Sequence, residues 1–418
     1  MSALEPTGVA GFLAHYEGLR ARLPGDPTAR AAAAELFRTL GLPGRRDEAW
    51  KYTNLRPLAE AAFHEPLSPV ADHQVAEGIP RLAGSRLLFI DGRYRPDLSA
   101  PPAFFTAFAD RPLLADLSDR AEQRMIALNT MLAEDGAVLD IPAGHEAGAV
   151  QIATIAAAAP GRATGVHPRH VVRLGAGARL VLILSNAGEG TYLHNEVADI
   201  VLAEGAHLTL LRVQDESRAA FHIATGVADI AAGATLDSFV LTLGGRMVRT
   251  EIHACLAGAR AEAHLSAAQL LSGVQHADAT TVVRHNAPEC ASRQTVKHVL
   301  TGRSRGVFQG RIEVARGAQK TDGYQMSQAL LLSPDAEIDT KPELEIFADD
   351  VKCSHGATVG ELDAEQMFYL RSRGVPEADA RAILIRAFLA EALDAVPHEP
   401  TRAAMEAMID AWWRKEAA

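Results

Sequence analysis

The sequence predicts a mainly β protein: a coil of stacked parallel strands, with helical segments at both ends of the chain. Three observations carry this prediction. A Gly-Ala step followed by alternating apolar residues recurs at Gly148, Gly177, Gly205, Gly233, Gly258 and Gly317, at intervals of 29, 28, 28, 25 and 59 residues, the last close to two periods. A fixed period of about 20 to 50 residues marks a repeat architecture, in which each unit buries its apolar face against the next. Second, the stretches between the steps, RLVLIL, HLTLLRV and TLDSFVLTL, are β-rich, and neither the ankyrin nor the tetratricopeptide pattern is present. Third, helical periodicity is confined to the two ends. A β-sandwich remains the competing architecture on periodicity alone.

The chain opens with helical patterns over Val9 to Leu23 and Thr28 to Leu40; Asp26-Pro27 starts the second, and Gly41 with Pro43 stops it. After RRDEAWKYTNL come short apolar runs, such as RLLFI before an Asp91-Gly92 turn, and one more helix is expected around Arg120 to Leu132. The repeating β body follows. Past Glu361 the pattern is helical again over Ala364 to Arg373, Pro376 to Ala395 and Thr401 to Lys415, with Asp363 and Gln366 as a capping box and Gly374 as a stop. The expected domains are therefore 1–135, helical and mixed; 136–360, the β body; and 361–418, helical. Helices at both ends are expected to cover the open edges of the strand stack, which otherwise invite uncontrolled pairing.

Composition narrows the function. The chain has 418 residues, and 41 basic against 52 acidic residues give a net charge of −11, which disfavours nucleic acid or an anionic membrane as the main partner. Three cysteines, Cys255, Cys290 and Cys353, form neither a disulfide framework nor a CxxC zinc pattern, as expected in a reducing compartment. The N-terminal MSALEPTGVAG lacks the build of a signal peptide, and no apolar run approaches the roughly 20 residues of a membrane span. A soluble cytoplasmic protein is expected. There is no GxxxxGK[ST] loop, GxSxG elbow or HExxH pair, so nucleotide hydrolysis by this chain is not expected.

The chemistry-bearing candidates gather late in the chain. In VKCSHGATVG, Cys353 and His355 stand two apart; on a strand they share one face, about 7 Å apart along the chain, which is half of a metal site. A small buried thiol beside a hydrogen-bonded histidine is the plainer reading. In the preceding SPDAEIDTKPELEIFADD, Glu343 and Glu345 share a strand face with Asp349 and Asp350 following; they are either a solvated face or part of one rim with the thiol and imidazole. Arg293, Gln294, Lys297, His298, Arg303, Arg305 and Arg311 are a solubilising set or an anion site, Cys255 and Cys290 are read as buried, and of the adjacent Trp412 and Trp413 one is expected to be partly exposed.

The segment from Asn286 through Gly374, NAPECASRQTVKHVL onward to FYLRSRG, resembles the core of the SufB/SufD family of iron–sulfur cluster assembly proteins, densely over 286–390 and more loosely upstream, where EAWKYTNL (48–55) matches a second signature. Cys353-Ser354-His355-Gly356 follows the SufD side of the family rather than the longer SufB side. The resemblance implies a right-handed parallel β-helix between N-terminal and C-terminal helical domains. It further implies a SufB–SufC–SufD scaffold that assembles clusters without turnover by this chain. In it, SufB would pair end to end with the β-helix, the SufC ATPase would dock on the helices over 376–415, and a transient cluster or its iron would be held at the SufB interface by His355 and Cys353. No cofactor is expected in the isolated chain, for which a homodimer is one option in the absence of SufB. A β-helix enzyme of the carbohydrate-active kind and a SufB-type subunit are the alternatives; aromatic content of 5% disfavours the first.

Overall fold

The computed structural model describes residues 6–65, 79–114, 123–158 and 161–416. Three helices open the chain: α1 (Gly8–Leu19), α2 (Pro27–Leu40) and the short α3 (Arg56–Ala59). Asp26 caps α2 by accepting from the Thr28 N–H at 2.8 Å, and Gly41 ends it with φ +66°. A fourth, α4 (Arg124–Leu132), is the helix expected around Arg120, whose residues 120–122 lie outside the described ones. Arg30, 1% exposed, donates to the carbonyls of Thr130, Met131 and Ala133, which satisfies the end of α4.

The body is two facing sheets. One runs β4 (Phe105–Ala107), β5 (Ala137–Ile141), β8 (Arg169–Leu174), β10 (Tyr192–Leu202), β12 (Phe221–Ile230), β14 (Met247–Leu256), β16 (His276–His285), β18 (Arg305–Val314), β20 (Glu337–Ile346), with β7 (Ala163–Val166) and β1 (Phe63–His64) beside it. The other runs β3 (Arg93–Tyr94), β2 (Ser85–Ile90), β6 (Glu146–Ala157), β9 (Arg179–Glu189), β11 (His207–Asp215), β13 (Thr235–Thr242), β15 (Glu262–Leu271), β17 (Ala291–Leu300), β19 (Thr321–Leu331), β21 (Val351–Gly360). From β8 onward consecutive strands alternate between the sheets, and pairing within each sheet is parallel except at β3 and β4. The chain thus winds as a parallel β-solenoid of about eight turns, two strands to a turn. Leu180, Leu182, Leu208 and Leu236 on one inner face meet Val172, Ile200, Leu202 and Ile230 on the other.

The 28-residue period has a backbone cause. At one corner of successive coils Gly177, Gly205, Gly233, Arg260, Glu289 and Lys320 take φ between +58° and +66°. The first five send their N–H to the next coil, to Glu204, Ala232, Ala259, Pro288 and Gln319, at 2.8 to 3.1 Å. A small buried side chain follows each: Ala178, Ala206, Ala234, Ala261, Cys290, Thr321. The Gly-Ala steps at 258 and 317 are therefore out of register with the earlier ones, and the uneven intervals of 25 and 59 come from that slip. Cys290 is buried as expected, its Sγ 3.3 Å from the Gly258 carbonyl, and Cys255 is half-buried.

Helices cover faces. Leu193, Phe221, Ile223 and Met247, on the outer side of the first sheet, pack with Phe12, Phe37 and Met125. EAWKYTNL clasps the same sheet: Trp50 lies under the Arg249 guanidinium at 4.2 Å, Thr53 bonds His276 and Asp278, and Glu48 pairs with Lys341 at 2.6 Å. After α5 (Ala364–Ser372), α6 (Glu377–Leu393) and α7 (Glu399–Glu416) turn back onto the outer face of the second sheet. There Ile385, Leu389, Leu393, Ile409 and Trp412 bury against Leu211, Phe239, Leu241, Leu270 and Val299. Trp412 is buried and Trp413 half-buried. This corrects the expectation that helices cover both ends of the stack. The apolar strip built by four strands draws α6 and α7 away from the edge, which offers them chiefly backbone polar groups. Among the described residues β20, at the last coil, pairs only with β18, and β21 only with β19. At the first coil the sheets end instead in the short antiparallel β3 and β4. Among the described residues, no helix is long and apolar enough to cross a membrane.

Candidate functional site: the open terminal coil

β21 stacks on β19 with Gly323 opposite Cys353 and Gln325 opposite His355. Gln325 is wholly buried and reaches Gln294 inside the solenoid at 3.4 Å, so the face that carries Cys353 and His355 continues the inner wall. No coil follows to cover it. Cys353 is half-buried against the cluster of Ile312, Val314 and Ala348, with its Sγ 3.3 Å from the point where a Gly323 Cβ would sit, and His355 is exposed. Burial pushes the Cys353 thiol above its ordinary range, the Gly323 N–H opposes this, and the Asp322 charge adds to it. The thiol stays protonated until a cation or electrophile meets it. Exposed apolar side chains stand at the ends of β20 and β21, at Ile346, Phe347 and Val359, and on the following helix α5, at Phe368 and Tyr369, Phe368 by 76%.

The acids do not join that rim. Glu343 and Glu345 alternate with Leu344, which faces inward onto Cys353's cluster, so they point outward, Glu343 to Lys341 at 3.1 Å and Glu345 to Arg311 at 3.7 Å. Asp349 and Asp350 lie exposed in the turn before β21. The basic set divides by the same alternation. Arg293, Arg305 and Lys297 pair with Asp322, Asp339 and Glu391, whereas Gln294 and His298 point inward and are buried. No anion site forms from them.

Sequence reasoning missed a second cluster, deep in the solenoid between β10, the end of β11 and β12. His194 and His222 are register partners on adjacent coils, and Glu216 reaches both from the opposite sheet: 3.1 Å to His194 Nδ1 and 2.7 Å to His222 Nδ1. All three are buried and their ligand atoms lie within 4.8 Å of one another. Beside them Arg212 holds Glu196 at 2.5 and 3.1 Å, and Glu196 faces His170 at 4.0 Å. Desolvation would raise both carboxyls, but contact with Arg212 and the histidines holds Glu196 and Glu216 well below the usual range. The signal was available: 194 and 222 differ by 28, one period, which places two histidines in one column.

Residues 155–388 match the family model described as SUF system FeS cluster assembly, SufBD core domain. The iron–sulfur cluster assembly protein SufD of Escherichia coli is 34% identical over 90% of this chain and 90% of its own length. An iron–sulfur cluster assembly SufBD family protein of Synechocystis is 33% identical, covering 88% of this chain and 87% of that protein, and a chloroplastic protein of Arabidopsis thaliana is 27% identical over 89% and 83%. A solenoid that ends in an open coil bearing Cys-Ser-His-Gly, a match to the core model over more than half the chain and near full-length similarity to SufD together establish that this chain belongs to the SufB/SufD family of iron–sulfur cluster assembly proteins, as a SufD-type member.

Proposed function

We propose that this chain is the SufD subunit of a SufB–SufC–SufD scaffold working in the cytoplasm, and that its terminal coil pairs edge to edge with SufB to hold iron or a nascent cluster. The observation that carries the reading is the unfinished last coil. Among the described residues two parallel sheets stop at β20 and β21 with their outer edges unpaired, and the inner wall ends in Cys353 and His355, with exposed apolar side chains at the ends of both strands and on α5. A second solenoid of the same family, continuing both sheets, would satisfy those edges by strand addition and bring its own ligands to the two offered here. His355 is the expected iron ligand, and Cys353 a second ligand once a cation lowers its thiol. The chain performs no turnover itself; its cargo is the cluster.

The SufC ATPase would dock on α6 and α7. Between these helices runs a groove floored by Leu389, Leu393 and Ile409 and rimmed by Arg386, Glu406 and Asp410. Deleting 376–418 would uncover the apolar strip beneath, so the test uses the surface: Arg386→Glu, which reverses the partner of Asp410, is expected to lose SufC in a pull-down while retaining SufB. Retention of SufC would remove the groove from the interface.

The main test is co-purification with SufB and SufC followed by iron and sulfide analysis. His355→Ala is expected to keep the complex and lower its cluster content; equal content would exclude His355 from cluster binding. Without SufB, the same open edges would pair with a second copy, seen as a concentration-dependent dimer by light scattering.

A further inference from the structure

We propose that His194, Glu216 and His222 bind one divalent first-row transition metal ion, Fe(II) or Zn(II), inside the solenoid, at a site separate from the terminal rim. Two imidazoles and one carboxylate are a donor set that suits such ions, and they converge from three strand segments rather than one. The histidine rings approach to 4.8 Å between centroids. A metal about 2.0 to 2.2 Å from each ligand atom needs those atoms roughly 3 to 4 Å apart, so the present spread closes with a small side-chain rotation.

Charge supplies the second argument. Glu196 already has Arg212, but among the described residues no lysine or arginine forms an ion pair with Glu216. A fully buried carboxylate with no lysine or arginine beside it is costly, and a cation held at the cluster removes that cost. The polar atoms are also short of partners: His222 Nδ1 lies 2.7 Å from Glu216 without the geometry of a hydrogen bond, and the Nε2 atoms of His194 and His222 have none.

The surroundings resemble the support that metal ligands receive. Gln214 Nε2 donates to the Glu216 carboxylate at 2.9 Å, fixing it, and His194 Nε2 lies 3.7 Å from Glu196, the carboxylate that Arg212 anchors. Coils on both sides and the N-terminal helices outside enclose the site, so the ion enters as the coils stack rather than through an open mouth.

The test is metal analysis of the full-length chain, untagged and produced with Fe(II) and Zn(II) supplied. About one metal ion per chain is expected to survive exhaustive dialysis against chelator, in wild type and equally in Cys353→Ser/His355→Ala, which separates this site from the rim reading. Glu216→Gln and His222→Gln are expected to lower occupancy at least about tenfold. X-ray absorption on the wild-type protein gives an answer even where a variant does not fold: nitrogen and oxygen neighbours alone are expected. A sulfur neighbour at about 2.3 Å, less than a tenth of an ion per chain, or unchanged occupancy in a folded variant would each overturn the proposal.

Discussion

The middle of the solenoid and its last coil carry the same kind of side chain to opposite ends of the accessibility scale. His194 and His222 sit on inner faces with a coil stacked on either side, and both are buried. His355 sits on the same inner wall and is exposed, because no coil follows β21. In a stacked-coil fold, strand alternation decides whether a side chain faces inward, and position along the stack decides whether it meets solvent. Polar inner residues are thus enclosed in the middle of the stack and open to solvent at its end.

The largest expected effect comes from acid. Burial holds the histidines at about 3 for His167 and His298, and about 4 for His170 and His285, against 6.5 when unfolded. Between those values the unfolded chain binds more protons, so stability is complete above about pH 6.5 and falls as pH drops toward 4. Each group approaches about 1.4 kcal/mol per pH unit once the unfolded imidazole is mostly protonated and gives about 1 kcal/mol over the first unit, so the four together remove roughly 4 kcal/mol between pH 6.5 and 5.5. Urea titrations across that range check this, and His298→Gln should reduce the slope by about one proton.

Next is the Arg212–Glu196 pair. Arg212→Ala strands a buried carboxylate and is expected to cost about 3 to 5 kcal/mol in chemical denaturation, with part of the loss recovered in Arg212→Ala/Glu196→Ala. A loss below about 1 kcal/mol would mean that water reaches the cluster and that the interior is not closed there. Trp50→Ala, which removes the clasp from Arg249 and leaves a void against the first sheet, is expected to cost about 3 kcal/mol by the same measurement.

These contrasts also mark what was legible in the sequence. The period, the glycine corners at 177, 205 and 233, the caps at Asp26 and Asp363 and the face-sharing of Cys353 with His355 are local signals, and each can be read within a few residues. The corners at Arg260, Glu289 and Lys320 are not, since non-glycine residues adopt the left-handed conformation there only because the stacked coils on either side impose it. The column of His194 over His222, and the strip of Leu211, Phe239, Leu270 and Val299 that receives α6, join residues a period or more apart. The histidine column follows from the 28-residue spacing once the period is applied to it, whereas the strip becomes visible only once the register between coils is fixed. Placing α6 and α7 on a face rather than an edge needed that register too.

The smallest expected change in stability is at the rim, where it is most informative. His355→Ala removes an exposed side chain at the end of the stack, so unfolding should stay within about 0.5 kcal/mol of wild type. Cys353→Ala should cost somewhat more, about 1 kcal/mol, because the thiol packs against the cluster of Ile312, Val314 and Ala348. If His355→Ala destabilised the isolated chain by 2 kcal/mol or more, the imidazole would be holding the last coil together, and any loss of cluster content in that variant would report a frayed edge. A neutral result leaves a side chain that the fold does not need, placed where both sheets stop, and its use must then lie in what joins them.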